Sequence, residues 1–191
     1  MDGNPHVTFV CVRNRVRSTF AKFYLADFFR KSGEKGTVSS AGFVPQALKD
    51  QLDQARIPWP EPLFDTSMSS MTRAFLLEKG IEVPEGWRSK ELNREMVERA
   101  DLIVTALVPQ KRELCDLYKQ ACDKIFAIRE LAENTGYLLS EDFSALPLDR
   151  DYWYHAEEEP HYVSRVLREW EKTLLTAIPN ITARLGMARR Y

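Results

Sequence analysis

The sequence predicts an α/β fold in which three layers, αβα, enclose a four-stranded parallel sheet. Three observations carry this. Four short apolar runs have strand character, at Val7–Val12, Thr37–Ala41, Asp101–Leu107 and Lys124–Ile128. Segments with apolar residues at helical spacing separate them, and that alternation implies a parallel sheet covered on both faces. A cysteine, Cys11, closes the first run, where ligands bind in such sheets.

Each element has its own signature. After the first strand, Ser18–Lys31 places Phe20, Tyr24 and Phe28 on one helical face. Ser69–Lys79 reads as a helix with Met71, Phe75 and Leu76 inward and Gly80 at its end. Asn93 is placed to cap a short helix reaching Ala100. Pro109 suits the first turn of a helix continuing towards Ala121. A last helix shows a stripe of Val163, Val166, Leu167, Trp170, Leu174 and Ile178, and Pro179 is expected to stop it. Phe43–Thr66 contains the stiff run Ile57-Pro58-Trp59-Pro60-Glu61-Pro62 and is expected to be a long inserted loop, either a surface connection or a wall beside the site. Asn134–Leu146 has no assignable pattern, and the tail after residue 184 is expected to fray.

The 191 residues suit a single domain, 1–191, with a full core. The 27 Lys and Arg balance 28 Asp and Glu, which argues against a nucleic-acid partner. No run reaches the length of a membrane span, and Met1–His6 is not a signal peptide. Cysteines at 11, 115 and 122 do not read as a disulfide framework, so a cytoplasmic setting is expected. Three histidines and no Cys-x-x-Cys pair make a zinc site an unattractive reading, and no metal or other cofactor is expected. Oligomeric state is not legible.

Between Cys11 and Arg17 lie five residues, Val12, Arg13, Asn14, Arg15 and Val16, enough to wrap around one tetrahedral oxyanion. Amides of such a loop and the N-terminus of the following helix converge on negative charge, and favour a thiolate nucleophile at Cys11. Arg17 offers a planar fork for two phosphate oxygens. Arg13 and Arg15 either extend the anion site or stand as solvent-facing charge.

The segment Cys11-Val12-Arg13-Asn14-Arg15-Val16-Arg17-Ser18 resembles the phosphate-binding loop of the low-molecular-weight protein tyrosine phosphatases, with its Cys-x5-Arg-Ser/Thr near the N-terminus. Further along, Ser39-Ser40-Ala41-Gly42, Gly80-Ile81, Trp87-Arg88-Ser89-Lys90-Glu91-Leu92 and Ala100-Asp101-Leu102-Ile103-Val104 match weaker family features in the family's order. The resemblance implies the phosphotyrosine phosphatase I-like fold and hydrolysis of a phosphorylated protein or small phosphomonoester through a phosphocysteine on Cys11. It implies that Ser18 hydrogen-bonds the sulfur and that Ser40 supports Asn14. It also implies that Trp87, Tyr152 and Trp153 line the substrate cleft. A family Asp-Pro before the last helix acts as general acid; here Asp149 and Asp151 stand in that place, neither followed by proline, and Asp151 is favoured for the aromatic run after it.

Two departures stand out. Where the family has glycine before its loop asparagine this chain has Arg13, so an unusual backbone angle would fall on Arg13 unless the loop differs. Where the family has a second cysteine it has Val16, so exclusion or reduction must protect Cys11 from over-oxidation. Phosphotyrosine is the family's substrate; phosphoarginine is an alternative for an altered loop. Two other readings compete. An arsenate reductase would relay oxidation through Cys115 and Cys122, but on one helix these lie about 10 Å apart along the axis, so packing is the favoured role. A non-catalytic phosphate-binding module would keep the loop without turnover.

Overall fold

The computed structural model of the chain describes residues 4–59, 61–132 and 160–187. Its centre is β1 (His6–Cys11), buried at every position. On one side β1 pairs with β2 (Thr37–Gly42), on the other with β3 (Leu102–Thr105), which carries β4 (Ile125–Ala127). All pairings are parallel and the order is β2-β1-β3-β4. The chain thus leaves β1 towards one side and later crosses to the other, which puts the switch in direction at the C-terminal end of β1.

Strand alternation sorts the core into two layers. Val7, Phe9 and Cys11 of β1, with Leu102 and Val104 of β3, face one helical layer; Val10, Ile103 and Ile125 face the other. The first layer is led by α1 (Arg17–Ser32), whose Phe20, Leu25 and Phe29 are buried. Burial of each such phenylalanine contributes roughly 1.5–3 kcal/mol. The helix ends at Gly33, left-handed at φ 75°, and the Glu34 amide donates to the Phe29 carbonyl. The second layer holds α4 (Arg94–Arg99) and α5 (Val108–Leu117). Asn93 accepts the Met96 amide at 2.9 Å, the expected cap, worth about 1 kcal/mol.

Five expectations about the fold need correction. The 43–66 segment is not all loop: it contains α2 (Gln46–Gln54), which buries Leu48 and Leu52, four residues apart, in the first core. The helix opened by Pro109 does not run on to Ala121. It stops at Leu117, the chain turns at Tyr118 (φ −124°, ψ 60°), and a 3₁₀ helix follows at Lys119–Lys124. That turn brings Cys115 and Cys122 into a disulfide with Cα atoms 4.6 Å apart, so they are not simply packing residues. The separation expected along the axis belonged to a continuous helix that the turn interrupts.

After α3 (Ser70–Glu78) and the short α6 (Ile128–Leu131), the last described helix, α7 (Pro160–Arg184), runs through Pro179. The carbonyl left without an amide donor is that of Leu175, a residue 51 % exposed, so water can serve it. Ile178 and Ile181, both buried, hold the helix on the core across the proline. Beyond Arg184, Leu185 and Met187 still pack against that core, so fraying does not begin there. No helix among the described residues is long and apolar enough to cross a membrane.

Candidate active site

Cys11 ends β1 in register with Gly42 of β2, and its carbonyl accepts the Phe43 amide at 2.8 Å. The residue is 4 % exposed and the thiol is free. The next five residues form a loop that delivers the chain to Arg17, the first residue of α1. None of the described side chains caps this helix, and its first turn carries no acid. Its N-terminal amides therefore stay turned towards the loop, where they favour an anion.

Asn14 closes the loop. It adopts φ 55°, the left-handed region that asparagine tolerates better than most residues. The unusual backbone angle expected at Arg13 therefore falls on Asn14, and Arg13 has no positive φ. The Asn14 side chain is fully buried and committed to three partners. Its Nδ2 donates to Ser18 Oγ (2.9 Å) and Thr19 Oγ1 (3.3 Å), and its Oδ1 accepts the Lys90 amide (3.1 Å). Thr19 Oγ1 in turn donates to the Asn14 carbonyl at 2.7 Å. Ser40 is buried in β2 but is not among these partners; the Lys90 backbone, carried in by the 86–92 segment, supplies the support. That segment is itself fixed to the strand end, since Gly42 donates to Lys90 and accepts from Leu92, at 2.7 and 2.8 Å.

Ser18 Oγ stands 3.0 Å from Cys11 Sγ and 3.3 Å from the Ala41 carbonyl. Because Asn14 donates to this hydroxyl, Ser18 has one proton to place and two acceptors to choose from. With a protonated thiol, sulfur can donate to Ser18, which then donates to Ala41. With a thiolate, sulfur is acceptor only, and the Ser18 proton turns to it. The triad Asn14–Ser18–Cys11 is thus built to follow the charge of the sulfur.

The three loop arginines divide. Arg17 is half-buried at the helix start. Arg13 is 8 % exposed, so it is not solvent-facing charge. Arg15 reaches sideways: its Nε donates to the Ser67 carbonyl at 2.8 Å, and its own carbonyl accepts the Ser69 amide. It ties the loop to the approach of α3 and is not simply solvated. Val12 and Val16 are buried. Trp87 lines a cavity that includes neither Cys11 nor Arg17. Asp149, Asp151, Tyr152 and Trp153 lie outside the described residues. Among the described residues, no group of three or more His, Cys, Asp or Glu side chains is placed to hold a metal ion. Sequence reasoning missed Thr19, Ala41 and the Lys90 amide; two of these act through backbone atoms, which no side-chain motif records.

No protein-family model matches the chain, and no curated protein sequence matches it. Solved structures do. A low-molecular-weight protein tyrosine phosphatase from T. tengcongensis aligns with a TM-score of 0.65 at 22% identity, over 92% of this chain and 99% of that one. The YwlE arginine phosphatase from Geobacillus stearothermophilus aligns at 0.62 and 20% identity, over 98% and 99%. A cysteine-to-serine mutant of YwlE arginine phosphatase, with a phosphorylated active-site serine, aligns at 0.62 and 18% identity, over 97% and 98%. Near-complete coverage at such low identity speaks to architecture: the chain has the fold of the low-molecular-weight protein tyrosine phosphatases.

Proposed function

We propose that the protein is a cysteine-dependent phosphatase acting on a phosphorylated protein or small phosphomonoester, with a phosphocysteine intermediate. The observation that carries this is the buried triad in which Ser18 Oγ lies 3.0 Å from Cys11 Sγ while Asn14 fixes the hydroxyl. Support comes from the structural neighbours, which include tyrosine and arginine phosphatases and one mutant phosphorylated on its active-site serine.

In the first step the Cys11 thiolate attacks phosphorus in line; an S–P bond forms as the bond to the leaving atom breaks. Loop amides and Arg17 hold the equatorial oxygens. Asp151, or Asp149, gives the leaving group its proton. In the second step the same carboxylate takes a proton from water, whose oxygen attacks phosphorus and breaks the S–P bond. Ser18 then donates to the departing sulfur, the state described above for a thiolate. Val12, Arg13, Asn14, Arg15 and Val16 contribute through the loop backbone, and Tyr152 and Trp153 bound the cleft. Phosphotyrosine is the favoured substrate group, and the cytoplasm is the favoured setting for the free Cys11, although the Cys115–Cys122 disulfide is a bond which that reducing compartment opposes.

An arsenate relay through Cys115 and Cys122 fits poorly. Cys122 lies just before β4, at the N-terminal edge of a parallel sheet, whereas Cys11 ends β1 at the C-terminal edge. The test is hydrolysis of an aryl phosphate and of phosphoarginine by reduced protein, beside Cys11→Ser. The substitution is expected to lower turnover by at least about a thousandfold. Activity that survives it, or none in the reduced intact protein on either substrate, would sink the proposal.

A further inference from the structure

Between α1, the outer edge of β2 and the 86–99 segment lies a cavity of about 620 Å³. That is the size of pockets that hold small organic ligands. Its walls carry four cations, Lys22, Arg88, Lys90 and Arg99, against one carboxylate, Glu95, and include the indole of Trp87. We propose that this cavity is a second anion site, separate from the Cys11 loop, which takes a small phosphorylated molecule bearing at least two negative charges.

The argument rests on the charge left uncompensated around this space, where four cations face a single carboxylate. Lys22, Lys90 and Arg99 have no ion-pair partner among the described residues, and Arg88 has only a loose one, Asp65 at 4.0 Å. Burial pushes the Lys22 ammonium below its usual range, and the charge of Lys90 pushes it further. Lys22 and Lys90 both border the cavity and their charges repel each other, a cost that a bound anion removes, while the Lys22 ammonium stands 4.8 Å from the centroid of the Phe23 ring.

His6, also in the wall, is not one of the cations offered. Its Nδ1 and Nε2 are engaged by Thr37 Oγ1 (2.7 Å) and Ser39 Oγ (2.9 Å), and burial followed by Arg99 lowers its pKa. The indole of Trp87 supplies a flat apolar wall for the organic part of the ligand. Asn14, whose side chain braces the phosphate loop, is also among the residues around the cavity. The site stands or falls independently of the phosphatase reading, since Cys11 and Arg17 are not in it.

The test is calorimetric titration with inorganic pyrophosphate, repeated with adenosine diphosphate. Lys22→Gln, Lys90→Gln and Arg99→Gln are each expected to weaken binding about tenfold. Arg17→Ala, which disables the loop, is expected to leave it within about twofold, the scale of an unperturbed affinity. Lys90 and Arg99 are exposed, so their substitution leaves the core intact, and thermal melting checks each variant. No binding of either probe by the intact protein at millimolar concentration overturns the site. So does binding that vanishes with Arg17→Ala and ignores the three cavity substitutions.

Discussion

The two edges of one parallel sheet treat cysteine in opposite ways. At the C-terminal edge Cys11 is buried and free, with a hydroxyl 3.0 Å from its sulfur and an asparagine behind that hydroxyl. Near the N-terminal edge Cys115 and Cys122 are joined covalently across the turn at Tyr118. The same side chain is a prospective nucleophile in one place and a staple in the other. What differs is the local backbone: a loop that keeps every other thiol away, and a turn that brings two together. The comparison also separates function from stability, because changes at one edge should alter chemistry and changes at the other should alter only the melting transition.

The largest effect is expected where the free cysteine's surroundings are broken. Asn14→Ala removes three side-chain hydrogen bonds from a buried site and leaves alanine in a left-handed conformation. The cost should be about 3 kcal/mol of stability, read by denaturant unfolding, with turnover falling alongside. Asn14→Gly keeps the angle and loses the bonds, so it should recover part of the stability and little of the activity. If both variants hydrolyse phosphate normally, the loop is not braced as described.

At the other edge, replacing Cys115 and Cys122 together by serine opens a cross-link between residues seven apart. For so short a loop the loss should be about 2.5 kcal/mol, with aryl phosphate turnover unchanged. A drop in turnover at constant stability would join the two edges and revive a relay.

A smaller effect sharpens the picture of Ser18. Ser18→Ala should slow hydrolysis roughly tenfold, the value of one hydrogen bond to a charged sulfur. The loss should fall on release of the phosphoenzyme, so a burst of alcohol product should precede a slower steady state. Equal loss in both phases would remove Ser18 from the second step.

The least effect concerns pH. Burial and then Arg99 lower the pKa of His6, against an opposing pull from Asp101. The unfolded state therefore binds the proton more readily, and protonation favours unfolding. The stability due to neutral His6 is full above about pH 6.5 and is lost as pH falls through that value towards the lower folded one. His6→Gln should flatten that part of the stability profile, measured as melting temperature between neutral and mildly acidic pH. An unchanged slope would mean that another group titrates.

Much of this was legible in the sequence, for identifiable reasons. The four strands are short apolar runs, and Asn93 announces its helix by chemistry alone. The Cys11–Arg17 spacing locates the loop because that chemistry depends on side chains at fixed intervals. The features that escaped depend on backbone position. Lys90 supports Asn14 through its amide, which any residue would offer. The disulfide required knowing that the helix stops at Leu117, and nothing in the composition around Tyr118 says so. Pro179 misled because its rule concerns one lost hydrogen bond, and the packing of Ile178 and Ile181 on the core across it is a tertiary fact. The helix at 46–54 was available in the spacing of Leu48 and Leu52, but the neighbouring prolines pointed to a loop.

Gly42 carries a consequence for how this chain can change over generations. A Cβ there would overlap the Phe64 ring and stand 2.9 Å from the Val12 carbonyl. Its amide and carbonyl meanwhile join the end of β2 to Lys90 and Leu92. Inside the loop, Arg13 fits without a left-handed backbone angle, so that position accommodates a large side chain. At residue 42 three distant parts of the chain converge on a space with no room for a side chain. Side chains around the Cys11 loop can therefore change while the glycine beneath it cannot, and any side chain placed at residue 42 should disturb all three parts at once.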